Sequence, residues 1–143
     1  MMPFASMNEI DLHRLAPHGY VRAFAKNMML IYQNDSTELM YVLLSGRARV
    51  FITDESGREV ELGEVHAGDY VGELVLDGGL RSASVMSLEP VRCFVIPRDD
   101  LETLIQRYPV FALDLIRRLS NRVRVLTDRV AELTGRSASA PHS

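Results

Sequence analysis

The chain has 143 residues, of which 47% are hydrophobic and 24% are charged, and its formal net charge is −3. This length and apolar content fit one domain with a hydrophobic core. The charge gives no reason to expect nucleic acid as a partner. Because the chain has neither a long apolar run nor a leader-like start, we expect a cytoplasmic protein without membrane contact.

The first predicted element is a short N-terminal helix with Ile10, Leu12 and Leu15 as its apolar residues. From residue 20 to residue 97, short β-type runs alternate with turn residues. These runs are "MMLIY", "MYVLLSG", "ARVFIT", "REVEL", "SASVM" and "VRCFVI". Many short strands at this spacing predict an antiparallel sandwich or barrel, and "ARVFIT" with "REVEL" forms the clearest hairpin.

Two helices are predicted after the strands. "RDDLETLIQRY" indicates a short helix that Asp99 or Asp100 can cap. Pro109 then interrupts the chain before a long helix from about residue 110 to 133. We expect residues 136–143, which are mostly small and polar, to form a disordered tail.

The long helix carries an apolar stripe with heptad spacing. β-branched residues recur at one position of the repeat and leucine at the other, a combination that favours a parallel two-stranded coiled coil. The same stripe could instead pack on the helix's own domain, but we predict a homodimer through it. The stripe consists of Ile116, Leu119, Val123, Leu126, Val130 and Leu133.

Five arginines lie on this helix. They resemble a nucleic-acid patch, but no aromatic residues interleave them for base stacking, so a solvated face is the preferred interpretation. They are Arg117, Arg118, Arg122, Arg124 and Arg129. We therefore expect no nucleic-acid binding through this chain.

The stretch "GELVLDGGLRSASV", residues 72–85, places Glu73 beside Gly72 and Arg81 eight residues after Glu73. A helical turn over "ELVL" would present free N–H groups to a phosphate, and Arg81 and Ser82 would add donors. Glu73 accepts hydrogen bonds only, so it needs a donor such as a ribose hydroxyl. The alternative is an ion pair between Glu73 and Arg81 within the loop.

This stretch resembles the phosphate-binding cassette of cyclic nucleotide-binding domains, such as those of catabolite activator-type regulators. "MYVLLSGRARVF" and "GREVELGEVHAGDYVGEL" extend the resemblance, which runs from about residue 10 to 133. It implies a mainly β fold: an antiparallel jelly-roll-like barrel with a short N-terminal helix and a long C-terminal helix. The implied domain covers residues 1–135, and its last helix would dimerise and close over the base.

The resemblance also implies roles for individual residues. Glu73 would accept the ribose 2′-hydroxyl, while Arg81, in a cassette spanning residues 72–83, would pair with the cyclic phosphate. Backbone and hydroxyl groups at Gly72, Leu74, Ser82 and Ala83 would assist Arg81. Val50, Leu62 and Val71 would make apolar contacts around the sugar and the base. On the long helix, Arg122 would lie near the ribose and Thr127 would contact the base.

Departures from the family pattern are visible in the cassette, in one turn and after the long helix. The spacing between Glu73 and Arg81 is short, Leu80 stands where proline is frequent, and Asn27 stands where glycine is usual. Only ten residues follow Leu133, whereas activator-type regulators continue into a helix-turn-helix. We therefore expect a stand-alone sensor. The alternatives are an interaction module that no longer binds nucleotide and the sensor half of a longer regulator.

The expected ligand is cAMP, with cGMP as the second choice, and an effector protein of unknown identity is a further possible partner. We expect no enzyme activity, no cofactor and no metal, because the histidines lack metal-ligand spacing and no serine lies in a nucleophile motif. Cys93, the single cysteine, is expected to be a buried thiol.

Overall fold

A computed structural model describes residues 8–72 and 80–135. The chain divides into two compact units, Met1–Arg107 and Tyr108–Ser143. Within the described residues, the first unit contains two helices and eight strands, and the second contains one long helix. In chain order the elements are α1 (Glu9–Leu15), β1 (Tyr20–Phe24), β2 (Met29–Ile31), β3 (Leu39–Ser45), β4 (Arg47–Thr53), β5 (Glu59–His66), β6 (Tyr70–Val71), β7 (Ser84–Ser87), β8 (Val91–Pro97), α2 (Arg98–Arg107) and α3 (Pro109–Gly135).

Helix α1 begins at a capping box. The backbone N–H of Asp11 donates to the side chain of Asn8 at 2.9 Å, and the N–H of Asn8 donates to the Asp11 carboxylate at 3.4 Å. These bonds satisfy N–H groups that the first helical turn leaves without backbone acceptors. The predicted N-terminal helix is confirmed.

The strands form two four-stranded antiparallel sheets. We name the sheet with the order β1-β8-β3-β6 sheet A and the sheet with the order β2-β7-β4-β5 sheet B. The predicted fold class, mainly β and jelly-roll-like with flanking helices, is confirmed. The strands remain in two separate sheets, however, and do not close into one continuous barrel.

Buried apolar side chains from both sheets form the core between them. Its members are Phe24, Leu30, Ile31, Tyr41, Leu43, Ala48, Val65, Val71, Val85, Val91, Cys93 and Val95. Burial raises the pKa of the Cys93 thiol to about 12, so this thiol is held in its neutral form.

Strand β5 contains a bulge. Val50 of β4 lies opposite Gly63, and the next residue, Phe51, lies opposite Glu61, so Leu62 has no residue opposite it. The bulge breaks the two-residue alternation of β5 and lets the strand run to His66. The predicted run "REVEL" ended four residues earlier.

Two asparagines adopt positive φ angles, 63° for Asn27 and 68° for Asn34. Asparagine tolerates this conformation better than other non-glycine residues, so Asn27 can occupy a turn where glycine is usual.

Among the helices of the described residues, none is long and apolar enough to cross a membrane.

Candidate ligand-binding site around Arg81

Arg81 is 5% exposed, although it carries a permanent positive charge. Its Nη1 donates to the carbonyl oxygen of Gly72 at 3.0 Å, and its Nη2 donates to the carbonyl oxygen of Leu39. Nε donates to Thr37 Oγ1 at 3.4 Å. These contacts hold the planar guanidinium between the end of β6 and the start of β3.

Gly72 is required where it approaches Arg81. Its φ is +89°, and a Cβ built on it would lie 2.8 Å from the carbonyl oxygen of Leu39 and 2.9 Å from Nη1 of Arg81. A side chain at this position would be strained and would displace the guanidinium or the backbone beside it. The glycine therefore permits the close packing around Arg81.

The backbone of Arg81 is held by the β2–β3 loop, residues 32–38. The N–H of Asn34 donates to the carbonyl oxygen of Arg81 at 2.8 Å, and the N–H of Arg81 donates to the carbonyl oxygen of Asp35 at 2.8 Å. Main chain and side chain of Arg81 are therefore both positioned by residues that precede it by more than forty positions.

The charge of Arg81 acts on its surroundings. Burial raises the pKa of the Tyr41 hydroxyl, and the positive charges of Arg22 and Arg81 partly oppose that increase. Since electrostatic interactions are stronger in a protein interior than in water, a buried guanidinium attracts an anion more strongly than an exposed one. Its planar group of donors suits two oxygen atoms of a phosphate or carboxylate.

The other predicted site residues differ in their surroundings. Gly72 and Ala83 are half-buried, and Ser82 is exposed. Val71 is buried in the core cluster, Val50 packs against it, and Leu62 is half-buried in the β5 bulge. Glu73, Leu74 and the predicted "ELVL" turn lie outside the described residues.

Sequence reasoning missed two groups that contact the Arg81 guanidinium and one buried hydroxyl group near it in the chain. The hydroxyl of Thr37 and the carbonyl oxygen of Leu39 contact the guanidinium. A second serine, Ser84, is buried and accepts a hydrogen bond from the N–H of Gln33 at 2.9 Å. Backbone carbonyl groups occur at every residue, so no sequence signal could have indicated the role of Leu39.

Helix α3 contains the two remaining predicted site residues, Arg122 and Thr127. The Thr127 hydroxyl donates to the carbonyl oxygen of Val123 at 2.8 Å within the helix. Five of the six predicted stripe residues are exposed and the sixth, Leu119, is half-buried. The exposed fractions range from 42% at Leu126 to 75% at Leu133.

No group of three or more His, Cys, Asp or Glu residues within 8–72 and 80–135 could hold a metal ion. The candidate site is the buried Arg81 with the oxygen atoms of Thr37, Leu39 and Gly72.

The family model of the cyclic nucleotide-binding domain matches residues 21–108. The cyclic AMP receptor protein of Thermus thermophilus is 34% identical over 104 residues, which cover 72% of this chain and 48% of that protein. The cAMP-activated global transcriptional regulator CRP of Salmonella typhimurium is 30% identical over 128 residues, which cover 85% of this chain and 61% of that protein. This chain thus matches about half to three-fifths of the length of these relatives.

Solved structures agree with these matches. The Thermus thermophilus catabolite activator protein superposes with a TM-score of 0.79 at 27% identity, covering 93% of this chain and 63% of that chain. The N-terminal domain of a transcriptional regulator from Streptomyces coelicolor A3(2) superposes with a TM-score of 0.63 at 26% identity, covering 89% of both chains. The chain belongs to the cyclic nucleotide-binding domain family and is related to cAMP receptor proteins.

Proposed function

We propose that this chain is a stand-alone regulatory sensor that binds cAMP through Arg81, with cGMP as the alternative ligand. The observation that carries the proposal is the position of Arg81, buried and held by oxygen atoms of Thr37, Leu39 and Gly72. Membership of the cyclic nucleotide-binding domain family supports a nucleotide as the ligand. The names of two relatives, a cyclic AMP receptor protein and a cAMP-activated regulator, support adenine as its base.

In this proposal Arg81 pairs with the cyclic phosphate and Glu73 accepts the ribose 2′-hydroxyl. The groups that assist at the phosphate are the backbone at Gly72, Leu74 and Ala83, and Ser82. Val50, Leu62 and Val71 make apolar contacts with sugar and base. A cyclic phosphate next to a free ribose hydroxyl presents both an anion and a donor, which match a guanidinium and a carboxylate.

Helix α3 transmits the binding event by forming a homodimer through its apolar stripe. Large apolar side chains that are exposed in a row support this role, because covering them in a dimer lowers the free energy. They are Ile116, Val123, Leu126, Val130 and Leu133. Arg122 and Thr127 approach the ribose and the base from this helix. The dimer geometry or an adjoining surface then acts on an effector protein.

A second candidate is the sensor part of a longer transcription regulator. It is favoured by the extent of the matches, because the chain covers 48% and 61% of two relatives, the second of which is named a transcriptional regulator. The intact mass of the protein isolated from its native source separates the two. A mass of 16.1 kDa supports the stand-alone sensor, and a larger mass supports the longer regulator.

Calorimetric titration with cAMP and then cGMP tests the proposal on the wild type, Arg81→Ala and the matched control Arg58→Ala. Arg58 has an 81% exposed side chain. Removal of a buried charged partner typically costs about 2–5 kcal/mol, so we expect Arg81→Ala to weaken cAMP binding by about 30-fold or more. Arg58→Ala should bind within about twofold of wild type.

Arg81→Lys separates loss of binding from loss of folding. Lysine keeps the charge but not the planar donors, so its affinity should lie between those of wild type and Arg81→Ala. Circular dichroism of each variant establishes that it is folded. Wild-type protein that gives neither heat nor a thermal shift with either nucleotide contradicts the sensor and supports an interaction module that does not bind nucleotide.

A further inference from the structure

The β2–β3 loop contacts the segment around Arg81 and also the end of β4. Its backbone exchanges two hydrogen bonds with Arg81, and the N–H of Gln33 donates to Ser84 Oγ at 2.9 Å. The side chain of Gln33 extends to Thr53, the last residue of β4. The N–H of Thr53 donates to Oε1 of Gln33 at 2.7 Å, and Nε2 of Gln33 donates to the Thr53 carbonyl oxygen at 3.5 Å.

The pairing of sheet B explains why a side chain is needed here. Strand β4 pairs with β7 from Ala48 to Phe51, and Phe51 lies opposite Ser84, the first residue of β7. Before Ser84 the chain bonds instead to the β2–β3 loop at Arg81. Like a peptide group, the carboxamide of Gln33 offers an N–H donor and a carbonyl acceptor. It therefore pairs with both the C=O and the N–H of Thr53, which lies beyond the end of β7 and has no β7 residue opposite it.

The hairpin turn begins at the next residue, Asp54. Its carboxylate accepts hydrogen bonds from the N–H of Ser56 at 3.0 Å, from the Ser56 hydroxyl at 2.6 Å and from the N–H of Arg58 at 2.9 Å. These bonds make the turn one ordered unit that adjoins Thr53. A displacement of Thr53 is therefore passed on to the turn.

We propose that Gln33 is a positioning residue for the Arg81 site and couples occupancy of that site to the β4–β5 hairpin. This inference rests on the proposed function, since it requires an anionic ligand at Arg81. A ligand that holds Arg81 in place also restricts the β2–β3 loop, and Gln33 transfers that restriction to Thr53. Coupling is reciprocal, so loss of the Thr53 contacts must weaken ligand binding.

Amide hydrogen exchange measured by NMR, with and without cAMP, tests the coupling in the whole chain. The proteins are wild type, Gln33→Ala, Gln33→Glu and the matched control Gln106→Ala, which replaces an exposed glutamine of α2. In wild type and Gln106→Ala we expect cAMP to slow exchange of the Thr53 amide by about tenfold. In Gln33→Ala this slowing disappears, and cAMP affinity falls about fivefold, the size expected for one neutral hydrogen bond.

Gln33→Glu distinguishes positioning from general stability. Glutamate keeps an oxygen acceptor for the Thr53 N–H, so the cAMP-dependent slowing should return. Slowing of the Thr53 amide in Gln33→Ala equal to that in wild type overturns the coupling. Wild-type affinity in Gln33→Ala overturns the positioning role.

A ligand-free measurement separates failure of this inference from failure of the proposed function. If the wild type binds no nucleotide, the proposed function fails. The coupling is then tested without ligand, by the effect of Arg81→Lys on exchange of the Thr53 amide. We expect Arg81→Lys to change Thr53 exchange when Gln33 is present and to leave it unchanged in combination with Gln33→Ala. An equal change in both backgrounds overturns the coupling.

Discussion

The β4–β5 hairpin and the interior around Arg81 each hold an arginine, and the two differ in burial: Arg49 is half-buried and Arg81 is buried. Arg49, on the hairpin, donates to Glu59 at 2.8 Å and also to Glu61, and its guanidinium lies 3.9 Å from the centre of the Phe51 ring. Arg81 donates to two backbone carbonyl groups and a hydroxyl. Because Arg81 is the more deeply buried of the two, water screens its interaction with a bound anion less than it would beside Arg49.

The comparison also shows why counting arginines could not locate the site. All but one of the 16 basic residues are arginine, and as residue types they are indistinguishable. Burial separates them, because Arg81 is the buried arginine among the described residues. Substitutions on both sides and changes of pH test this difference between the interior and the hairpin.

The largest expected effect comes from two glycines with the same backbone conformation. Gly72, beside Arg81, has φ +89° and no room for a Cβ, whereas Gly57, in the hairpin turn, has φ +85° and nothing within 4 Å of a Cβ. Gly57→Ala should cost about 1 kcal/mol of unfolding free energy from backbone strain alone. Gly72→Ala should cost at least about 2 kcal/mol more, because the methyl group also displaces its neighbours. Urea unfolding measures both, and equal costs would contradict the tight packing around Arg81.

Opposite pH limits should follow from the two environments. The Cys93 pKa is raised by burial to about 12 from 9.0, so its contribution to stability is complete below about pH 9 and is lost as the pH rises toward 12. The loss approaches about 1.4 kcal/mol per pH unit. In the hairpin, hydrogen bonds from Ser56 and Arg58 lower the Asp54 pKa, so its contribution is present above its ordinary value of 3.8 and is lost as the pH falls.

Urea unfolding across pH 3–11 measures both limits. Cys93→Ala should remove the alkaline slope between about pH 9 and 10, below the ordinary Tyr41 pKa of 10.0, and leave the acidic side unchanged. Asp54→Asn should instead flatten the acidic side and leave the alkaline side unchanged. A slope between about pH 9 and 10 that persists in Cys93→Ala would show that another group produces it.

The smallest effect is expected at the ion pairs of Arg49. The Glu61 side chain is 54% exposed, and exposed pairs contribute about 0.2–1 kcal/mol. Glu61→Gln should therefore destabilise the protein by less than about 1 kcal/mol at low salt, and the difference should vanish near 1 M salt. Glu55→Gln, at an exposed residue of the hairpin turn, is the control. A deficit in Glu61→Gln that survives 1 M salt would mean that the carboxylate contributes through packing.

Much of the fold followed from the sequence, and the misses have physical reasons. Turn residues between short apolar runs predicted the antiparallel strands, because turns require particular backbone angles. Strand β1 was not predicted, because four of its five residues are exposed and its side chains do not alternate between buried and exposed. The end of β5 was missed because the bulge at Leu62 breaks the alternation on which strand prediction relies.

The site was predicted less completely. The cassette resemblance selected Gly72 and Arg81, which the structure brings together. The Leu39 carbonyl group lies 42 positions from Arg81, and Gln33 lies 20 positions from Thr53. Such contacts depend on how the sheets bring distant segments together, and no local pattern encodes them.

Strand β5 has one further consequence, for the behaviour of the protein at high concentration. Within the described residues it is an edge strand of sheet B, and an uncovered edge offers unpaired backbone groups to a strand of another molecule. Glu59, Glu61 and Glu64 place carboxylates along this edge, and the bulge distorts its backbone. These carboxylates pair with Arg47 and Arg49 of β4, so a second β5 arriving beside the edge would meet chiefly the bulge and its irregular row of hydrogen-bonding groups. The edge is thereby protected against the intermolecular sheet growth that leads to aggregation.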